Sequence, residues 1–278
     1  MSPSLLTSKS TVRLSSGFTI PVIGLGVFKN QDPKDACLAA LHLGYRHIDS
    51  ARLYENEKSV GNAVRESGIP RSEIFVTSKV QDLDGGYQGT LDAVDDSLKN
   101  FGLDYLDLYL VHTPLAGKEK RIAAWKALLA ARDAGKIKTA GVSNYGVKHL
   151  EEIREAGLEM PAVNQVEIHP LCQQRDIVQW CGEHGIAIEA YAPLIRADFS
   201  NPVLQDISTK YQRGPAQILV RWSLQHGFIP LPKSVNPDRI KSNAQVFDFE
   251  ISEADMKRLD ALDRGKAGGV SWNPVDAE

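Results

Sequence analysis

Eight short apolar runs alternate with amphipathic helical stretches along the whole of this 278-residue chain. The runs cover residues 22–26, 46–49, 74–80, 106–112, 139–144, 162–168, 187–193 and 228–234. Each is mostly apolar, as expected of parallel strands buried on both faces. Between them, Leu91, Val94, Leu98 and Phe101 recur at helical spacing. Ile122, Trp125, Leu128 and Leu129 repeat that stripe, and so do Ile177, Trp180, Cys181 and His184. Pro215, after Gly214, opens a further helix through Ile218, Leu219 and Trp222. Glycines follow the helical stretches at Gly44, Gly68, Gly102, Gly135, Gly157, Gly185 and Gly227, where a left-handed cap turns the chain into the next strand. Strict β/α alternation implies a parallel sheet. Eight units in about 250 residues fit a closed (β/α)8 barrel better than an open doubly wound sheet. Ahead of the first run, residues 11–14 and 18–20 around Ser15-Ser16-Gly17 read as a β-hairpin that caps the barrel bottom. No linker-like stretch interrupts the chain. The expectation is one α/β domain over residues 1–278, with a core of about 12–262 and a tail, 263–278, over the pocket.

Charge narrows the partners. There are 32 basic and 35 acidic residues, a formal net charge of −3, and no long Lys/Arg block. Neither nucleic acid nor an acidic membrane is an expected partner. No apolar run approaches the roughly 20 residues that a membrane span needs. The opening residues, Met1 to Lys9, show no apolar leader core, and Pro274 to Glu278 carry no retention or peroxisomal address. The three cysteines, Cys37, Cys172 and Cys181, have unrelated spacings that suit a reducing cytosol rather than a disulfide framework. The seven histidines form no HExxH and no ligand cluster, so no metal is expected. These features together point to a soluble cytoplasmic protein acting on a small molecule. A monomer is expected, with a homodimer left open.

In a barrel of this kind, chemistry sits at the C-terminal ends of the strands. The polar residues there are Asp49 with Tyr54 close behind, Lys79, His112, Ser143-Asn144, Asn164-Gln165 with Glu167, Glu189 with Tyr191, and Lys233-Ser234. Burying so many polar groups is costly without a role. Asp49, Tyr54, Lys79 and His112 make a coherent set. A phenol titrates near 10, an ammonium beside it stabilises the phenolate, and a carboxylate holds the ammonium. An imidazole can hydrogen-bond a substrate oxygen. Together they can protonate an alkoxide as it forms. The same four residues also fit a buried ion pair, a packed tyrosine and a satisfied strand-end histidine.

The stretch Leu43-Gly44-Tyr45-Arg46-His47-Ile48-Asp49-Ser50-Ala51, with Tyr54-Glu55-Asn56-Glu57 after it, resembles the first signature of the aldo-keto reductase superfamily. Leu110-Val111-His112, Gly141-Val142-Ser143-Asn144, Asn164-Gln165 and Tyr191-Ala192-Pro193-Leu194 match further blocks in order. Pro230-Leu231-Pro232-Lys233-Ser234, with Arg239 and Asn243, looks like the cofactor-phosphate block. The matches run from about Val12 to Leu262.

The resemblance implies NADPH-dependent reduction of an aldehyde or ketone. Tyr54 would be the general acid, Lys79 its activator, Asp49 the partner of Lys79, and His112 the group that orients the carbonyl. Ser143, Asn144 and Gln165 would hold the nicotinamide carboxamide, and Tyr191 would stack on the ring. Leu194 belongs to the same cofactor block. Lys233, Ser234 and Arg239 would surround the 2′-phosphate, and Asn243 would meet the adenine. Ser242 stands where many members carry Glu, which leaves NADH as a weaker alternative. Arg196 either reaches the pyrophosphate or is simply solvated. Val27 and Phe28, where many relatives carry Trp, would wall the substrate pocket with Tyr54 and His112, and Trp272 is either a lid or a tail anchor. An NAD(P)-dependent alcohol or polyol dehydrogenase running in reverse is the alternative enzyme, and a barrel-fold regulatory subunit the alternative class. Gly24-Leu25-Gly26 imitates half a dinucleotide fingerprint, but Lys29 occupies the third glycine position.

Overall fold

The computed structural model describes residues 6–81 and 86–278. Residues 1–5, part of the stretch read for a leader, lie outside the described residues. The first element is the hairpin. Strand β1 (Thr11–Arg13) pairs antiparallel with β2 (Thr19–Pro21), with Val12 opposite Ile20. Gly17 makes the turn at φ 88°, in the left-handed region that favours glycine. Leu14 and Ile20 are buried against Phe75, Val163 and Ile229, the first residues of their strands. The hairpin therefore plugs the N-terminal end of the barrel, and Ser16 Oγ fastens it to Thr139 Oγ1 at 3.0 Å.

Eight parallel strands follow in sequential order: β3 (Leu25–Gly26), β4 (His47–Asp49), β5 (Phe75–Val80), β6 (Leu106–Val111), β7 (Ile137–Ser143), β8 (Val163–Glu167), β9 (Ala187–Tyr191) and β10 (Ile229–Pro230). Two hydrogen bonds join the last to the first: Gly24 N donates to Pro230 O at 3.1 Å, and Gly26 N donates to Pro232 O at 3.2 Å. A Cβ on Gly24 would lie 2.7 Å from both His47 Nδ1 and Leu231 Cδ2. Gly24-Leu25-Gly26 thus serves barrel closure by close approach, not a phosphate turn. The outer strands are shorter than the apolar runs predict. In the last, Pro230 and Pro232 have no N–H to extend the ladder. Strand β7 starts at Ile137, earlier than expected, and stops where Asn144 turns left-handed at φ 62°.

The helices are α1 (Lys34–His42), α2 (Glu57–Glu66), α3 (Gly86–Phe101), α4 (Lys118–Asp133), α5 (Val147–Glu155), α6 (Arg175–Glu183), α7 (Pro202–Tyr211), α8 (Pro215–Gln225), α9 (Pro237–Ala244) and α10 (Glu253–Asp260). Their apolar stripes bury onto the strands, as Val94, Phe101, Trp125, Leu128 and Trp222 show. The stripe on α6 is narrower than expected: His184 is exposed and stacks on the half-buried Trp180 at 3.7 Å between ring centroids. The three cysteines are free and buried, with thiols pushed up to about 12 by burial. No helix among the described residues is long and apolar enough to cross a membrane.

Candidate active site

Strands β4 and β5 run in register with Asp49 beside Thr77, so Lys79 stands one inward-facing step nearer the mouth. The Lys79 ammonium donates to Asp49 Oδ1 at 2.7 Å, to the Ser50 carbonyl at 2.8 Å and to the Tyr54 hydroxyl at 3.4 Å. It has no exposed surface. Burial alone would push this ammonium down, but Asp49 and Tyr54 hold it above its ordinary value. Tyr54 comes from a 3-10 turn, Arg52–Tyr54, closed by Glu55 at φ 55°, which swings the phenol back over the strand ends. Burial is the largest influence on that phenol and raises it; Lys79 pulls it down, Asp49 raises it, and it stands above its ordinary value. The expectation that Lys79 lowers the Tyr54 pKa holds for its own contribution only, because burial and Asp49 outweigh it.

His112 leaves the end of β6 with its ring T-shaped against Tyr54, 5.8 Å between centroids. Burial, and then the Lys79 charge, lower its imidazole to about 3. It is neutral at physiological pH and can donate one hydrogen bond without a charge. Phe28 packs on Tyr54 with ring centroids 5.0 Å apart and is 44% exposed. Val27 is buried at 1% exposure, and its carbonyl accepts from Asn56 Nδ2 at 3.1 Å. It supports the Phe28 loop and presents no free surface.

A second group of side chains adjoins these four. Asn144 Nδ2 donates to the His112 carbonyl at 3.0 Å and to Ser143 Oγ at 3.1 Å. Ser143 Oγ donates to the Gln165 carbonyl at 2.9 Å. Tyr191 OH lies 2.8 Å from Asn144 Oδ1 and 3.0 Å from the Trp272 carbonyl. Gln165 Nε2 donates to Asp49 Oδ2 at 2.9 Å, which links this platform to the acid–base set. One hydrogen-bonded array therefore brings together Asp49, Lys79, Tyr54, Gln165, Ser143, Asn144 and Tyr191, with His112 held through its backbone.

Lys233 and Ser234 precede α9, Arg239 lies in its first turn, and Asn243 lies in its last. Asn236 caps that helix, its Oδ1 accepting from Arg239 N at 3.0 Å, and Pro237 opens it. Lys233 and Arg239 are exposed and make no ion pair among the described residues, whereas Ser234 and Asn243 are buried. Two free cations beside a helix N-terminus suit an anion. The loop after β9 carries Leu194 and Arg196. Ala192, Ile195, Arg196 and Ala197 all have positive φ, from 46° to 65°, a strained run for residues other than glycine. Arg196 is exposed, with NH2 3.4 Å from Ser271 Oγ.

Residues 264–278 pack along the same face. Glu167, fully buried, accepts from Val270 N at 2.5 Å and from Ser271 N at 3.1 Å. Trp272 is 54% exposed, and its carbonyl meets Tyr191. The anchoring lies in its backbone, while the indole stays at the surface. Three positions gained structural partners that strand-end reasoning did not assign: Glu167 holds the tail, Asn56 holds the Phe28 loop, and Glu189 accepts from Gln165 Nε2 at 2.8 Å. In the sequence, Glu167 and Glu189 show only as polar residues within apolar strands, and Asn56 only as the residue ahead of α2.

The family model described as the aldo/keto reductase family matches residues 22–264. The chain belongs to the aldo/keto reductase family. Glyoxal reductase of Bacillus subtilis is 45% identical over 265 residues, 94% of this chain and 95% of that protein. Among solved structures, an aldo-keto reductase from a deep-sea metagenome library superposes with a TM-score of 0.89 at 42% identity, covering 92% of this chain and 96% of the other. An aldo-keto reductase of Bombyx mori, solved in complex with NADP, also reaches a TM-score of 0.89, at 30% identity and 97% coverage of both chains. This aldo-keto reductase is thus an NAD(P)H-dependent oxidoreductase acting on carbonyl groups, and its (β/α)8 fold agrees with both neighbours.

Proposed function

We propose that this aldo-keto reductase reduces an aldehyde or ketone to an alcohol with NADPH, and that Tyr54 delivers the proton. The observation that carries the reading is the Lys79 ammonium, 2.7 Å from Asp49 and 3.4 Å from the Tyr54 hydroxyl. Nicotinamide, when bound, supplies the hydride. The chain does the rest. His112, neutral, donates to the carbonyl oxygen and fixes its position beside Tyr54. The Tyr54 hydroxyl gives its proton to that oxygen as negative charge develops there. Lys79 faces the resulting phenolate with a full positive charge, which Asp49 and the Ser50 carbonyl hold in place. The phenol stands above its ordinary value and so carries the proton it has to give at neutral pH.

The residues present fit the cofactor. Ser143, Asn144 and Gln165 offer polar atoms for a carboxamide, Tyr191 offers an aromatic face, and Lys233 and Arg239, with no ion pair among the described residues, are exposed cations for a 2′-phosphate. NADPH over NADH is therefore the preferred reading, supported by the NADP complex of the Bombyx mori relative. Phe28 and the exposed Trp272 leave a broad apolar rim. A generic aldehyde and glyoxal, the latter prompted by the name of the Bacillus subtilis relative, are the substrates to test first. We read the protein as a cytoplasmic monomer acting on small molecules, consistent with its free cysteines and mild charge. Oxidation of NADPH followed at the nicotinamide absorbance tests the proposal. Turnover with either substrate is expected, and no turnover with any aldehyde or ketone would overturn it.

A further inference from the structure

Glu189 is a buried carboxyl group for which the proposed chemistry has no use. It lies on β9 with no exposed surface, in register with Gln165 on β8 and with Ile229 on β10. Gln165 Nε2 donates to Glu189 Oε2 at 2.8 Å and to Asp49 Oδ2 at 2.9 Å. An amide nitrogen has two hydrogens, and here both go to carboxyl oxygens. A flipped amide would instead set its carbonyl oxygen against two carboxyl groups, so the nitrogen must face the barrel interior. Gln165 Oε1 is then the polar end left for an incoming N–H donor, next to the Ser143 and Asn144 side chains.

We propose that Glu189 is a positioning residue: together with Asp49 it locks the Gln165 amide in the single orientation that can accept a hydrogen bond from the carboxamide nitrogen of nicotinamide. The inference rests on reading Gln165 as a carboxamide contact.

The surroundings set the form Glu189 takes. His47 and Asp49 face it from β4, Lys79 from β5 and Gln165 from β8, while β10 offers only the apolar Ile229 at that level. One ammonium, already bonded to Asp49, cannot neutralise two buried carboxylates. Burial and then Asp49 push Glu189 up to about 8, against the opposing pull of Gln165 and Lys79. The surroundings therefore weaken Glu189 as an acid. Its Oε2 still accepts from Gln165, and its Oε1 lies 3.5 Å from His47 Nε2. Glu189 thus accepts from the amide, while the Lys79 ammonium is spent on Asp49, Ser50 and Tyr54.

The test compares two oxidised cofactors: NADP+ and its 3-acetylpyridine analogue, which has a methyl group where the carboxamide has NH2. Dissociation constants come from quenching of tryptophan fluorescence. In the parent, the analogue is expected to bind about tenfold more weakly. Glu189→Gln keeps an acceptor oxygen and should keep that ratio within about twofold. Glu189→Leu, of similar bulk but without an acceptor, leaves Asp49 as the one carboxyl group holding the amide, so the ratio should fall severalfold towards one. Gln165→Leu should do the same. A purely structural role for Glu189 would weaken both cofactors together and leave the ratio unchanged. If Gln165→Leu collapses the ratio and Glu189→Leu does not, the proposal for Glu189 is wrong while that for Gln165 stands. If Gln165→Leu leaves the ratio intact, the reading of Gln165 fails and takes the inference with it. Should Glu189→Leu not fold, a folded Glu189→Gln protein that loses the ratio overturns the proposal equally.

Discussion

The Lys79 ammonium lies 3.4 Å from the Tyr54 hydroxyl in a site with no exposed surface on the lysine. In such surroundings a charge acts over a longer reach than in water, because little solvent screens it. Asp49 keeps the lysine charged, and the lysine makes loss of the Tyr54 proton affordable.

Tyr54→Phe should lower kcat for aldehyde reduction by about two to four orders of magnitude, the usual contribution of a positioned proton donor. The phenyl ring keeps its packing on Phe28 and His112, so NADPH affinity should stay within about twofold. Steady-state kinetics with a binding titration checks both. A Phe variant with parental kcat would remove Tyr54 from the role of acid.

Lys79→Met leaves Asp49 buried without its cation, and breaking a buried pair typically costs about 3–5 kcal/mol. The variant should be both unstable and nearly inactive. Asp49→Asn should be milder in rate, since the Ser50 carbonyl still holds the ammonium at 2.8 Å. Combining the two substitutions should recover much of the lost stability and none of the activity. Recovery of activity in the double variant would mean that the pair is structural only. Denaturant melts beside turnover assays read the two effects separately.

Arg239→Ala should weaken NADPH binding by about one to two orders of magnitude and change NADH binding little, because only NADPH offers a dianion to a guanidinium. The loss should shrink in high salt, since Arg239 is exposed. Equal weakening of both cofactors would show that Arg239 holds adenosine or the fold rather than the phosphate.

Stability should fall with acid before the carboxylates titrate. Burial holds His47 and His112 at about 3 in the folded chain, below the roughly 6.5 of an unfolded histidine. The unfolded chain therefore binds more protons between these values. The stability that comes from keeping each imidazole neutral is fully present above about pH 6.5 and is lost as pH falls towards 3. Each group contributes a slope of up to about 1.4 kcal/mol per pH unit. His112→Gln should flatten the curve in that window, as urea melts at a series of pH values would show. An unchanged slope would contradict the burial argument.

Arg196→Gly should raise stability and weaken NADPH together. Arg196 sits at φ 52°, where a non-glycine residue costs about 1–2 kcal/mol, part of it returned by the extra freedom of glycine in the unfolded chain. A net gain of about 1 kcal/mol would raise the melting temperature by roughly 2–4 °C. Weaker NADPH binding in the same variant would place Arg196 at the cofactor, and unchanged binding would leave it a solvated side chain.

Much of this protein follows from local pattern. Alternating apolar runs and helical stripes specify a parallel sheet, and their number specifies a barrel. Gly44 at φ 100° and Gly135 at φ 76° turn the chain where the stripes end, because no Cβ opposes the left-handed conformation. The candidate acid–base set was also legible, since Asp49, Lys79 and His112 interrupt or end apolar strands and Tyr54 follows the first of them. What the sequence left open depends on distance between elements remote along the chain. Whether Lys79 or burial wins at the Tyr54 phenol is decided by how far the barrel closes over it. That Gly24 serves closure rather than a phosphate turn depends on β10 arriving beside β3. The double acceptor around Gln165 exists only because β4, β8 and β9 converge inside the barrel, which brings Asp49 and Glu189 to one amide nitrogen. Sequence periodicity determines which face of each strand points inward. The curvature of the closed sheet decides which inward residues meet, because side chains from non-neighbouring strands touch only across a barrel interior.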